Sequence, residues 1–338
     1  MLRSAKALQR FVSCTCRGVC RVATTKEVPV VERETRELQI PVPYGHLAAR
    51  EWLPASSEDP SRRLLLLHGY QDNAASFYDL VPRLDPRWHA VAIDFTGHGL
   101  SSHLPLGAPY VSSLFSLDVA RTVAHLGWDR FCIVGHSMGA HRGFNYGALF
   151  PDKSLFVLML AFQVQKLVML DAFGPLYCPA SMVVQDMRKT LVENVRLERK
   201  DLSKPPVYTE KEVMKVYTET LPFGYQPRNV RTLMKRGWRP VGEGRYVLTR
   251  DVRLKCLAWN HVDSTAVEHY YRAFPNDLLV LMAVPGLGGQ SARTKLAEDV
   301  CRMHCRSFQL LEVAGNHHVH MSDPDRVACY IRPFLESQ

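Results

Sequence analysis

Six short and almost wholly apolar runs place the tightest constraint on this chain: residues 64–67, 91–94, 131–134, 167–171, 278–284 and 308–313. They are too short for helices and are bounded by glycine or proline, as strands buried on both faces are. Longer amphipathic spans separate them. Such alternation predicts an α/β fold, a doubly wound and mostly parallel sheet flanked by helices. On this reading residues 35–171 and 276–338 form the core.

Between the fourth and fifth runs, residues 172–275 have another character. Charged helical patterns such as Met187-Arg188-Lys189-Thr190-Leu191 are broken at Pro205-Pro206 and at Pro222-Phe223-Gly224. Tyr217, Tyr225, Trp238, Tyr246 and Trp259 fall here with no apolar run to carry them. The stretch reads as a helical cap, inserted before the last strands and covering what the strand ends build.

The net charge of +9 is concentrated at the start, because residues 1–26 hold Arg3, Lys6, Arg10, Arg17, Arg21, Lys26 and no acid. The remaining +3 leaves no electrostatic footprint for nucleic acid. Residues 1–34 therefore read as a basic tail or as an import presequence, which would direct the chain to mitochondria. No stretch approaches the roughly 20 apolar residues of a membrane helix. The nine cysteines lack disulfide or zinc spacing. Cys301, His304 and Cys305 have no fourth ligand nearby, so no metal site is expected.

The third run leads directly into Gly135-His136-Ser137-Met138-Gly139, followed by a helical pattern. Small residues on both sides of a serine suit a strained strand-to-helix turn that presents its hydroxyl above the sheet. A serine hydroxyl needs a base to take its proton as it attacks. Gly315-Asn316-His317-His318-Val319-His320 follows the sixth run, at the same sheet edge if the strands are parallel, and His317 lies nearest the strand. His318 and His320 read as neighbours that pack locally. Charge developing on a substrate oxygen must be met by backbone N–H donors, each worth about 3 kcal/mol. Met138, after the serine, and Tyr70, in the loop His68-Gly69-Tyr70 after the first run, are the expected pair.

HGYQDNAASF at 68–77, DFTGHGLSSH at 94–103, GHSMGA at 135–140 and GNHHVHMSDP at 315–324 together resemble the α/β-hydrolase superfamily, more narrowly the serine hydrolase-like family. The resemblance runs from about Val42 to Phe334. It implies an eight-stranded, mostly parallel sheet with a helical cap, Ser-acid-His chain order, no cofactor, and a cytoplasmic or peroxisomal protein. Ser137 matches the nucleophile, His317 the base, and Tyr70 and Met138 the oxyanion donors. A serine at that position argues against the dehalogenases and epoxide hydrolases of this fold, which use aspartate there.

Two departures stand out. The usual acid position follows the strand before the histidine strand, yet residues 285–293 hold no carboxylate, and Glu298 and Asp299 fit a solvated helix face. The alternative position, after the strand that follows the nucleophile helix, is occupied by Asp171. In addition, residues 155–165 lengthen the link into that strand and threaten to displace Asp171. The leading expectation is hydrolysis of a carboxylic ester or thioester of a small or apolar acyl group through a Ser137 acyl-enzyme. The rivals are carbon-carbon bond hydrolysis by the same triad, and a binding or regulatory protein that keeps the fold without turnover.

Overall fold

The computed structural model describes residues 27–56, 59–151, 162–175, 180–220, 224–258, 264–286 and 292–337. The basic residues 1–26 and the apolar residues 155–161 lie outside these. In chain order the first half comprises β1 (Thr35–Val42), β2 (Gly45–Trp52), β3 (Arg63–Leu67), β4 (His89–Ile93), α1 (Ser113–Leu126), β5 (Arg130–His136), α2 (Met138–Leu149) and β6 (Gln163–Leu170). After the cap come β10 (Asp277–Val284), α7 (Ala292–His304), β11 (Phe308–Ala314), α8 (Val319–Ser322) and α9 (Pro324–Glu336).

The eight strands form one sheet in the order β1-β2-β4-β3-β5-β6-β10-β11. β1 and β2 run antiparallel at one edge and the rest of the sheet is parallel. Each of the six apolar runs lies on a strand of this parallel portion, with Asp94 and Asp171 just past the ends of β4 and β6. Leu64–Leu67, the run of four leucines, is wholly buried because helices cover both faces of β3. Two apolar layers result, one per face, and alternate residues of a strand enter opposite layers: Leu65 and Leu67 one, Leu64 and Leu66 the other.

The helix after the candidate serine forms despite Gly143 and Gly147 because both serve packing. A side chain on Gly147 would overlap the ring of Phe274, which stacks on Phe144 at 4.8 Å. At Gly143 a Cβ would press on Ile133 and Leu167, so its absence lets α2 lie close on β5 and β6. α1 stops at Gly127, whose φ of 63° is the left-handed conformation a helix end adopts.

The region expected as a helical cap contains α3 (Ala180–Glu198), α4 (Glu210–Lys215), α5 (Pro227–Gly237) and α6 (Ser264–Arg272). It also holds a small antiparallel sheet, β7 (Val207–Thr209), β9 (Arg245–Leu248) and β8 (Trp238–Gly242), in that spatial order. Trp238 and Tyr246, expected to lie off any strand, sit on it. Strands this short carry too little periodicity to show in sequence. Together with Tyr208, Tyr217 and Tyr225 they help build a separate apolar cluster.

A buried ion pair holds this region to the core. Arg236, at the end of α5, donates from Nε to Asp94 at 2.9 Å and from Nη1 to Glu37 at 2.6 Å. Burial alone would lower the Arg236 pKa, but the neighbouring Asp94 charge holds it above the ordinary arginine value. Asp94, fully buried, also accepts from the backbone of Ala74 and Leu100. Removing one partner of a buried pair strands the other charge. Arg236→Ala is therefore expected to cost about 3–5 kcal/mol, read as a lower urea midpoint; a loss under about 1 kcal/mol would show that the pair does not anchor the region.

Candidate active site

Ser137 caps the N-terminus of α2 directly after β5, with φ 50° and ψ −115°. Left-handed backbone is costly for a residue with a side chain. Among the described residues it occurs outside glycine only at Gln71, Ser137 and Asp171, all just beyond the C-terminal ends of parallel strands. The surroundings hold the strained serine: its N–H donates to Leu170 O at 3.0 Å, and its carbonyl accepts from His141 N at 3.1 Å. The flanking glycines are required by close approach. A Cβ on Gly135 would meet the Ala140 backbone at 2.6 Å, and one on Gly139 would overlap the Leu67 carbonyl. Every residue from Phe131 to Ala140 is buried except Ser137, which keeps partial exposure.

His317 lies in the turn between β11 and α8. Its Nδ1 donates to Asp171 Oδ2 at 2.6 Å, and both groups are buried. Asp171 Oδ1 accepts from Ala283 N at 2.9 Å, and Asp171 N donates to Leu281 O at 2.8 Å, so β10 fixes the carboxylate. The threatened displacement of Asp171 does not occur. β6 begins at Gln163, so the last three residues of the unexplained link belong to the strand. The missing acid after β10 has a matching explanation: a Cβ on Gly286 would come within 2.5 Å of Asp171 Oδ1. The space a carboxylate would use there is filled from β6. Glu298 instead pairs with Arg302 on the exposed face of α7.

With Nδ1 engaged as donor to Asp171, Nε2 is the imidazole nitrogen that a general base would use. The ring is held from behind as well. His136 Nε2 donates to the His317 carbonyl at 2.8 Å, tying the residue before Ser137 to the histidine turn. Met138 is the first residue of α2, and the close approach at Gly139 brings that helix start against the end of β3 and its loop. The loop carrying Tyr70 is clamped by the cap: Tyr70 OH donates to Leu254 O at 2.7 Å, Arg250 to Gln71 O at 3.0 Å, and Asn73 to Leu233 O at 3.1 Å. All five residues expected from sequence thus lie at one edge of the sheet.

Asp72 and Tyr225, for which the motifs suggest no chemical role, gather here as well. Asp72 Oδ1 accepts from the Tyr225 hydroxyl at 2.6 Å, and Tyr225 stacks on His318 with ring centres 3.7 Å apart. His136, His317, His318 and His320 form one ring cluster. Burial pushes the Asp72 carboxyl up to about 6, and holds His318 down at about 2 and His320 at about 3. A cavity of about 440 Å³ lined by Cys132, Lys166, Arg306 and Ser337 opens at the opposite, N-terminal ends of the strands, away from these groups.

The Alpha/beta hydrolase family model matches residues 64–328. This chain belongs to that family. An α/β-hydrolase relative, the serine hydrolase-like protein of Danio rerio, is 32% identical over 91% of this chain and 90% of its own length. Serine hydrolase-like protein 2 of Homo sapiens is 34% identical over 89% of this chain and 94% of its own. Among solved α/β structures, a hypothetical protein of Pseudomonas aeruginosa PAO1 superposes with TM-score 0.71 at 25% identity, covering 87% of this chain and 99% of that one. No helix among the described residues is long and apolar enough to cross a membrane.

The buried histidines make the fold acid-sensitive. His68 and His141 are lowered to about 4 by burial, and His98 and His136 lie well below the ordinary value for the same reason. With His318 and His320 these imidazoles stay neutral when folded but protonate near pH 6.5 when unfolded. Their contribution is complete above that pH and is lost as pH falls, at about 1.4 kcal/mol per group per unit. Asp72 and Asp118, both raised to about 6 by burial, act in the opposite sense between about pH 4 and 6 but are outnumbered. The melting temperature should fall between pH 7.5 and 5.5; an unchanged or higher value would contradict neutral burial.

Proposed function

We propose that the protein is a serine hydrolase that cleaves a carboxylic ester or thioester through an acyl-enzyme on Ser137. The observation that carries this reading is the Asp171–His317 hydrogen bond, placed at the same strand ends as a serine in strained backbone. In the first half-reaction His317 Nε2 takes the Ser137 proton as Oγ attacks the substrate carbonyl. Asp171 holds the imidazole in the required tautomer and stabilises the positive charge it acquires. The backbone N–H groups of Tyr70 and Met138 receive the developing oxyanion. His317 then returns its proton to the leaving alcohol or thiol. Water attacks the acyl-enzyme by the same route reversed, freeing acid and serine.

The apolar cap cluster of Val213, Tyr217, Tyr225, Val230, Leu233 and Trp238, packed against Met321 two residues before Asp323, favours an apolar acyl group over a sugar or a charged peptide. The names of the serine hydrolase-like relatives agree with the reaction class and stop short of a substrate.

A fluorophosphonate probe tests the reading directly. Wild type should be labelled and Ser137→Ala should not, whereas failure to label folded wild type would favour a binding protein that has kept the fold. Asp171→Asn should slow labelling or ester turnover by about 10⁴ while leaving the protein folded, because the imidazole then sits in the wrong tautomer. A rate within a fewfold of wild type would remove Asp171 from the mechanism.

A further inference from the structure

Immediately behind His317, three buried side chains from three separate segments converge: Asp72 from the loop after β3, His136 from the end of β5, and His318 from the turn after β11. One donor atom from each lies within 4.8 Å of the other two. Asp72 Oδ2, His136 Nδ1 and His318 Nδ1 have no hydrogen-bond partner among the described residues, although each residue is at most 4% exposed. Buried polar atoms are normally satisfied, so three orphans on converging side chains require an account.

Their chemistry is specific. His136 Nε2 must carry a proton, since it donates to the His317 carbonyl at 2.8 Å. Its Nδ1 is therefore a bare lone pair, which cannot donate to Asp72. The separation of His136 Nδ1 and Asp72 Oδ2, 3.7 Å, is also too long for a hydrogen bond. It is close to the donor spacing of roughly 3.3 Å set by bonds of about 2.0–2.1 Å around a tetrahedral ion. A backbone carbonyl fixing the far nitrogen of a ligating imidazole is the usual support of a metal-bound histidine. Gly69 keeps the space open, because a Cβ there would lie 2.7 Å from His136 Nδ1 and 3.1 Å from Asp72 Oδ2. Tyr225 completes the support by donating to Asp72 Oδ1 at 2.6 Å, leaving Oδ2 for the ion.

We propose that Asp72, His136 and His318 form a binding site for one divalent transition-metal ion of the zinc type, next to the catalytic histidine and inhibitory when filled. Two neutral imidazoles and one carboxylate suit zinc, cobalt or nickel, and fit magnesium or calcium poorly, since those prefer all-oxygen shells. One carboxylate leaves the bound ion with net positive charge beside the His317 ring, whose centre is 4.6 Å from that of His136 and 5.0 Å from that of His318. A cation there opposes the positive charge His317 must acquire during acyl transfer. This inhibitory effect rests on the serine-hydrolase reading, whereas the binding site does not.

The test is a titration of the chelator-stripped full chain with Zn²⁺ by calorimetry and with Co²⁺ by visible absorption. Wild type should take up one ion, with the intense visible bands of four-coordinate cobalt. His318→Gln and Asp72→Asn, each checked for folding by circular dichroism, should weaken uptake at least tenfold, while His103→Gln at an exposed histidine should not. No one-to-one uptake by folded wild type, or uptake unchanged in whichever of the two site variants folds, would overturn the site and assign its polar atoms to water. In parallel, fluorophosphonate labelling of wild type should slow at least tenfold at the same Zn²⁺ midpoint. Absence of all labelling would count against the hydrolase reading and leave the titration to decide the site, while labelling indifferent to bound Zn²⁺ would overturn the inhibition.

Discussion

The hydrogen bond from His317 Nδ1 to Asp171 Oδ2 joins the two halves of the core that the cap sequence separates. Asp171 follows the strand before the cap and His317 follows the last strand after it, so the bond forms only when β10 has entered the sheet between β6 and β11. Much of the surrounding geometry exists to hold it. Asp171 is kept in left-handed backbone, Ala283 of β10 binds its second oxygen, and Gly286 leaves room for the carboxylate. His136 holds the histidine turn from behind through its carbonyl. The residue next to Ser137 thereby sets the height of His317 above the sheet.

The cap contributes more than cover. Its Arg250 donates to the loop that carries a candidate oxyanion donor, its Leu233 and Leu254 carbonyls accept from the loop's Asn73 and Tyr70, and Arg236 brings its charge to Asp94 at the end of β4. Preset donors stabilise developing charge only if they do not have to be reorganised during reaction. A loop clamped at several points by a docked domain meets that condition. The same docking places Tyr225 between the apolar cluster and Asp72, linking the region that would choose the acyl group to the polar cluster beneath the histidine.

The inner parallel strands were legible because both their faces are buried, so composition alone marked them; β11, at the other edge and only partly buried, kept an apolar run interrupted by Gln309 and Glu312. β1 and β2 were not legible: at the edge of the sheet β1 exposes much of its length, and its apolar signal is diluted. The small cap sheet has strands of three to five residues, below what periodicity can register. In the site, Ser137 and His317 announced themselves by their turns, because strained backbone leaves glycine as a trace in sequence. Asp171 did not, since its role depends on which strand lies beside β10, a fact of topology. Asp72, His136 and His318 were hidden differently. Each stands inside a motif already assigned to another purpose, and their convergence from positions 72, 136 and 318 leaves no local spacing to read.

The Asp171–His317 pairing is read directly by proton NMR, without substrate or probe. A strongly hydrogen-bonded imidazole N–H shielded from solvent gives a resonance far downfield of the amide region. The folded protein should show one such signal from His317 Nδ1, retained in Ser137→Ala and lost in both His317→Ala and Asp171→Ala. A downfield signal that survives removal of the Asp171 carboxylate, in protein whose amide spectrum remains that of the folded state, would contradict the pairing and with it the assignment of the acid to β6.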